Sequence, residues 1–329
     1  MNTTRAFSAD VLKLSAPKET ERIATAIRKI VIKLRRRGVV VAMSGGIDSS
    51  VVAALSVRAL GPGRVLGLFM PEDESAPDSL PLAQQLADGL GIQTVLENVT
   101  PILRGARCYE RRDEAIRSLV PDYGPGHKCK LVLPNILESD GYNLFSLVVQ
   151  SPSGVHTRYR LTADAYLGIL AATNFKQRAR KMLEYYHADR LQYAVAGTPN
   201  RLEVDQGFFV KLGDGAADLK PIAHLYKSQV YQLAEYLDIP EEIRQRPPTT
   251  DTYSLQQTQE EFYFSLPYAK LDLCLYGKNR DAPAAEVADA VGLTPAQVEA
   301  VYRDIESKRA ATRYLHETAL LVEDEIVAS

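Results

Sequence analysis

Ser44, Gly45, Gly46, Ile47, Asp48, Ser49 and Ser50 follow one another in a run whose residue types suit the holding of phosphate. A turn of small residues between a strand and a helix lets backbone N–H groups close around phosphate oxygens, and the helix N-terminus adds partial positive charge. Gly45 and Gly46 permit the close approach. The serines add hydroxyl donors, and an acid such as Asp48 belongs beside phosphates if it holds a cation there. No lysine follows the second glycine, so this is not the G-x-x-x-x-G-K-[ST] loop. A bare Ser-Gly-Gly turn does no more than join a strand to a helix; the full Ser-Gly-Gly-x-Asp-Ser string, in the right setting, reads as a nucleotide site.

The setting is the one required. Ile23, Ile27, Ile30, Val31 and Leu34 recur at helical spacing, with Gly38 as the expected C-cap. Val39 to Met43 is a continuous apolar run, as expected of a strand buried on both faces, and the loop follows it directly. Beyond it, helix Val51–Leu60, strand Val65–Met70, helix Leu80–Leu90 and strand Gln93–Leu96 alternate. This predicts an α/β fold: a doubly wound, mostly parallel sheet with flanking helices, in which ligands sit at the carboxyl ends of strands. The pattern lapses from Arg104 to Ala172, where Leu144–Gln150 and His156–Leu161 flank the turn sequence Ser151-Pro152-Ser153-Gly154 and predict an inserted β-hairpin. Helix Phe175–Tyr186, strand Tyr193–Ala196 and helix Tyr226–Leu237 resume the alternation. The expected organisation is an N-terminal helical segment 1–38, a core domain 39–255 carrying an insertion at about 104–172, and a helical C-terminal region 256–329 that is not an independent domain.

The 329 residues carry a net charge of −2 and 46% hydrophobic residues, which favours small-molecule chemistry over nucleic acid or an anionic membrane surface. Three scattered cysteines suggest neither disulfides nor structural zinc. Without a membrane-length apolar stretch or a signal-like N-terminus, the expected location is cytoplasmic.

The loop resembles the pyrophosphatase loop of adenylating enzymes, which cleave ATP between the α and β phosphates (adenine nucleotide alpha-hydrolase-like proteins). The run Gly197-Thr198-Pro199-Asn200-Arg201-Leu202-Glu203, then Gly207 to Lys211, Gly213 to Asp218, Pro221-Ile222 and Leu225-Tyr226-Lys227, is similar to the ammonia-dependent NAD synthetases from Val39 to about Asp251. That resemblance implies ATP as co-substrate held by Ser44 to Ser50, Thr198, Lys227 and Thr249. It implies Mg2+ shared by Asp48 and Glu203, with Lys227 neutralising the departing pyrophosphate, so Asp48 and Lys227 are the expected catalytic residues. Arg178, in Asn174 to Arg180, and further Lys211, Asp218 and Lys308 are the expected contacts to the acid substrate. The implied reaction amidates nicotinic acid adenine dinucleotide (deamido-NAD) with ammonia through an acyl-adenylate, and the implied assembly is a homodimer. About 38 residues precede the first core strand, too few for a glutaminase domain, so free ammonia or a separate glutaminase is the expected nitrogen source.

Some residues depart from the family pattern. Leu202 replaces a small residue, Ser307 replaces a histidine, and the Gln257 to Tyr268 segment is aromatic where the family is acidic and glycine-containing. The insertion also lies between the nucleotide half and Arg178. An amide ligase of the same fold acting on another carboxylic acid is therefore the alternative. A second alternative, a helix-turn-helix regulator at Ala285 to Val301, conflicts with charge: Glu286, Asp289 and Glu299 are the only charged residues there.

Overall fold

A computed structural model describes residues 7–133, 145–249, 252–264 and 266–322. The chain opens with α1 (Ala16–Lys33), β1 (Val39–Ala42), α2 (Ile47–Leu60), β2 (Val65–Phe69), α3 (Ser79–Leu90) and β3 (Gln93–Leu96). Then come α4 (Thr100–Gly105), α5 (Cys108–Arg117), three strands β4 (Lys128–Val132), β5 (Ser146–Gln150) and β6 (His156–Arg160), the long α6 (Ala163–Leu191) and β7 (Ala194–Ala196). The remainder is helical: α7 (Arg201–Gln206), α8 (Lys227–Tyr236), α9 (Glu241–Gln245), α10 (Tyr268–Lys278), α11 (Ala284–Val291) and α12 (Pro295–His316).

Strands β1, β2, β3 and β7 form one parallel sheet in the order β3-β2-β1-β7. Its two faces follow from the alternation of strand side chains. Val39, Val41, Val65, Phe69, Ala194 and Ala196 pack against α1, α2, α3 and α8, while Val40, Leu66, Leu68 and Val195 pack on the other face with Leu103, Cys108, Ala179 and Ala188 of α4 to α6. Each fully buried aliphatic side chain, such as Leu55 or Leu68, contributes about 1.5–3 kcal/mol. Both faces being covered explains the continuous apolar runs of these strands. The chain leaves β1 toward β2 on one side and enters β7 on the other, so the strand order reverses beside β1 and a crevice opens at the carboxyl ends of β1 and β7.

Several details differ from the sequence expectation. The first helix ends at Lys33 with Leu34 as its cap, so Gly38 is not the cap; a Cβ at Gly38 would lie 2.3 Å from the Arg64 carbonyl and 2.6 Å from the Tyr193 ring, and its role is close packing. The stretch from Arg104 to Ala172 is more regular than expected, since α5, β4 and the first turns of α6 lie in it. The predicted hairpin is β5 and β6, joined through Ser151 to Val155, but it is part of a three-stranded antiparallel sheet whose third member, β4, pairs Cys129 with Val149 and Leu131 with Leu147. Leu144, the predicted start of the first hairpin strand, and Ser265 of the aromatic segment lie outside the described residues.

The inner face of this smaller sheet, Cys129, Leu131, Leu147 and Val149, buries against Ile116 of α5, Ile169 of α6, Tyr253 and Phe262. The C-terminal helices form a further core in which Leu271, Cys274, Val287, Val298, Val301 and Ile305 are buried. Gly292 in left-handed conformation and the Thr294–Gln297 capping box join α11 to α12, so a helix-turn-helix shape exists, but its apolar faces are spent on α10. Among the described residues, no helix is long and apolar enough to cross a membrane.

Candidate active site

The loop sits where the alternation placed it, between β1 and α2. Gly45 has φ +73°, and a Cβ there would lie 2.4 Å from the Ser79 carbonyl, so both conformation and space require glycine. The hydroxyls of Ser49 and Ser50 donate to the Gly46 carbonyl at 2.9 and 2.8 Å, and the Gly46 N–H donates to the Ser44 hydroxyl at 3.3 Å. These bonds shape the loop before any ligand arrives.

Asp48 stands in the first turn of α2, where helix-end charge favours a carboxylate. It pairs with the Lys227 ammonium and accepts from the Asn200 side-chain amide at 3.2 Å. Asn200 is the N-cap of α7 in a full capping box: its carbonyl oxygen accepts the Glu203 N–H at 3.2 Å, and Glu203 accepts the Asn200 N–H at 3.0 Å. The other Glu203 oxygen accepts from Gln259 at 3.0 Å. One short chain of bonds thus joins the loop, the helix after β7 and the aromatic segment.

Burial, reinforced by the Asp48 charge, pushes the Glu203 carboxyl up to about 8. Burial works to lower the Lys227 ammonium, but the Asp48 and Glu203 carboxylates outweigh it and raise its pKa. Lys227 is fixed from behind by Asp272 of α10, which accepts the N–H groups of Lys227 at 3.2 Å and Ser228 at 2.7 Å. Burial pushes Asp272 up to about 6. One ammonium therefore faces two carboxylates whose mutual repulsion it does not fully relieve. A hard, oxygen-seeking cation suits such a donor pair, provided phosphate and water complete its shell. Among the described residues, no group of three or more His, Cys, Asp or Glu side chains is arranged to bind a metal alone.

These groups open into one cavity of about 1660 Å³. Of the residues singled out in the sequence, Ser44, Gly46, Ile47, Asp48, Ser49, Thr198, Glu203, Lys227 and Thr249 line it, as do Arg178, Lys211 and Lys308. Gly45 and Ser50 lie behind the lining and shape the loop. Asp218 is not in the lining; it accepts the Val195 N–H at 2.7 Å and so holds the end of the sheet. Arg178 donates to the Lys211 carbonyl at 3.3 Å, Lys211 to the Tyr314 and Glu317 carbonyls at 2.8 Å, and Lys308 to the Tyr263 carbonyl at 2.8 Å. The end of α12 therefore forms one wall with them.

Sequence reasoning missed Asn200 as the link between Asp48 and Glu203, although Asn-x-x-Glu is a legible capping signal. It also missed Gln259, Asp272 and Arg246, which bonds to Ser79 at 3.0 Å beside the loop. No local pattern marks these three.

A family model described as NAD synthase matches residues 19–118 and 154–313 and passes over 119–153. The NH(3)-dependent NAD(+) synthetase of Rhizobium meliloti is 61% identical over 94% of this chain and 93% of its own length. That of Thermotoga maritima is 36% identical over 79% of this chain and 88% of its own. Among solved structures, an NMN synthetase from Francisella tularensis is similar with TM-score 0.66 at 22% identity, covering 94% of this chain and 99% of that one. An NH3-dependent NAD synthetase from Campylobacter jejuni is similar with TM-score 0.61 at 22% identity, covering 94% of this chain and 100% of that one. The two solved structures bear on the fold alone. With the loop, the paired carboxylates and this extent of sequence identity taken together, the chain belongs to the NAD synthase family.

Proposed function

We propose that this protein amidates deamido-NAD with ammonia at the expense of ATP, giving NAD, AMP and pyrophosphate. The observation that carries this is the Asp48, Lys227 and Glu203 cluster at the mouth of the phosphate loop, inside a cavity large enough for a nucleotide and a second substrate. Deamido-NAD is better supported than another acid because relatives at 58–61% identity over most of the chain are named NH(3)-dependent NAD(+) synthetases.

In the first half-reaction a carboxylate oxygen of deamido-NAD attacks the α-phosphorus of ATP, and the bond to the β-phosphate oxygen breaks. The Ser44 to Ser50 loop and Thr198 hold the phosphates in line. Lys227, kept cationic by its carboxylate neighbours, neutralises charge on the departing pyrophosphate. Asp48 and Glu203 would hold Mg2+, whose charge, when bound, stabilises the phosphate oxygens. In the second half-reaction the ammonia lone pair attacks the acyl carbon, the bond to AMP breaks and a proton is lost. No protein nucleophile is needed; positioning and charge neutralisation supply the rate.

Thr249 completes the ATP site, and Arg178, Lys211 and Lys308 are the proposed contacts to the dinucleotide. Asp218 acts through the sheet rather than by touching substrate. The proposed homodimer is supported by Leu167, Met182 and Tyr186, exposed apolar residues of α6 that a second copy would cover. Free ammonia or a separate glutaminase supplies the nitrogen.

Purified protein given ATP, Mg2+, ammonia and deamido-NAD is expected to form NAD, AMP and pyrophosphate in equal amounts, read by chromatography. Release of ADP in place of AMP, or no NAD, contradicts the proposal.

A further inference from the structure

The small sheet β4 to β6 is unaccounted for by the reaction described above, and the family model passes over most of it. It is not a surface ornament. Along its free side β4 is bonded to the segment that follows Thr252: Cys129 N–H donates to the Ser254 hydroxyl at 2.9 Å, Leu255 N–H to the Cys129 carbonyl at 3.1 Å, and Leu133 N–H to the Glu261 carbonyl at 3.2 Å. Lys130 pairs with Glu261 at 2.5 Å, and Gln257 donates to the Leu131 carbonyl. The same segment carries Gln259, which holds Glu203, and Thr258, which bridges to Thr249. The insertion is thereby tied to the proposed metal carboxylate and to the ATP side of the cavity.

Where β5 begins, Phe145 enters the cavity lining. Its ring stacks on Tyr166 of α6 with centroids 4.9 Å apart and planes inclined by 22°, and lies 6.0 Å from Phe262. Tyr166, Leu170, Thr173, Gln177, Lys181 and Glu184 all line the cavity, at steps of three and four residues along one face of α6. That face spans about 27 Å at 1.5 Å per residue. It is apolar at the end the insertion covers and charged at the other, where Lys181 and Glu184 pair at 2.7 Å. Phe145 and Tyr166 are each only partly buried. Two stacked rings left partly open to a cavity offer an apolar surface to a planar ligand.

Resting on the proposed amidation of deamido-NAD, we infer that the inserted sheet supplies a specificity wall, Phe145 backed by Tyr166 and Phe262, against which a planar heteroaromatic ring of the acid substrate packs. The wall binds the dinucleotide and takes no part in holding ATP. The sheet's attachment to the Gln259 segment sets the wall's position relative to Glu203, and so relative to the reacting carboxylate.

The test uses steady-state kinetics of the full chain with Phe145→Leu, which keeps apolar volume and loses the ring, and Tyr166→Leu as a second variant should the first fail to fold. Val155→Ala, on the exposed hairpin turn, serves as the control. Phe145→Leu is expected to raise KM for deamido-NAD about fivefold to tenfold, the magnitude of one lost aromatic contact. KM for ATP and for ammonia is expected to stay within about twofold, since the lost contact touches neither. Inhibition by nicotinic acid mononucleotide identifies the ring: an inhibition constant that rises with the substitution assigns the pyridine, and one that does not assigns the adenine. An unchanged KM for deamido-NAD, or equal rises for deamido-NAD and ATP, overturns the wall. A wild-type protein that forms no NAD overturns the proposed reaction, which separates the two failures.

Discussion

Replacing Asp48 with asparagine is expected to lower kcat for pyrophosphate release about a hundredfold to a thousandfold, the size of effect seen when one preorganised electrostatic contact to a transition state is removed. Asparagine has the same shape and still reaches the Asn200 amide, which now donates at 3.2 Å, so folding should be preserved. What is lost is the charge. Lys227 is buried at 3% side-chain exposure and loses its closest counter-charge, and a cation at the site loses one of two carboxylates. The matching variant Lys227→Met should fall by a similar factor, and the double variant by much less than the product, because the two groups act as one unit. Quenched-flow measurement of pyrophosphate in the first turnover reads this directly. A first-turnover rate within fivefold of wild type for Asp48→Asn is the outcome the account does not survive.

The second large effect is on stability. Lys176 of α6 is 1% exposed, yet its ammonium lies 2.9 Å from Glu72, 2.6 Å from Glu74 and 2.9 Å from the Thr252 carbonyl. Arg112 pairs with Glu74 at 2.7 Å, and the Tyr109 hydroxyl donates to Glu72 at 2.6 Å. This network joins α5, α6, the loop after β2 and the segment that carries Gln259 beneath the cavity. Lys176→Met leaves buried carboxylate charge uncompensated and should cost about 3–5 kcal/mol at neutral pH.

The pH dependence has a definite sign. Burial pushes the Glu74 carboxyl up, but Lys176 and then Arg112 outweigh it and hold it below the ordinary value of 4.5. A depressed carboxylate contributes stability in full above its unfolded value and loses it as pH falls through the folded value. The wild-type contribution from Glu74 is therefore intact at pH 5 and fades below 4.5. In Lys176→Met the carboxylates should instead be relieved by protonation, so the gap between variant and wild type narrows as pH falls. Urea unfolding at several pH values measures it, and an unchanged midpoint at neutral pH contradicts the assignment.

How far these features could be read from sequence depended on what each element buries. Strands β1 and β2 are covered on both faces, so they appear as unbroken apolar runs, and the glycines that must follow β1 mark the loop. Helix α6 shows the opposite case. Its buried face includes Thr173, Lys176, Lys181, Glu184 and His187, so apolar periodicity reveals only part of its 29 residues. Strand β4 escaped notice because Cys129 and Leu131 alternate with Lys128 and Lys130 over just five residues, and its partner β5 is distant in sequence.

Within the site, local chemistry was legible and long-range contact was not. Asp48 is marked by the loop and Glu203 by the resemblance of the Gly197 to Glu203 run to the family, whereas nothing near Asp272 or Gln259 signals that each holds a member of the cluster. Asp218 shows the converse: it stands in a motif, but its carboxylate holds the N–H of β7.

The most direct test of the central claim is pyrophosphate–ATP exchange without ammonia, with deamido-NAD as the only acid present. Labelled pyrophosphate is expected to enter ATP when deamido-NAD is added, but not without it and not in Asp48→Asn. Exchange that is independent of deamido-NAD, or absent in a preparation that goes on to make NAD, would contradict formation of an acyl-adenylate at the Asp48, Lys227 and Glu203 cluster.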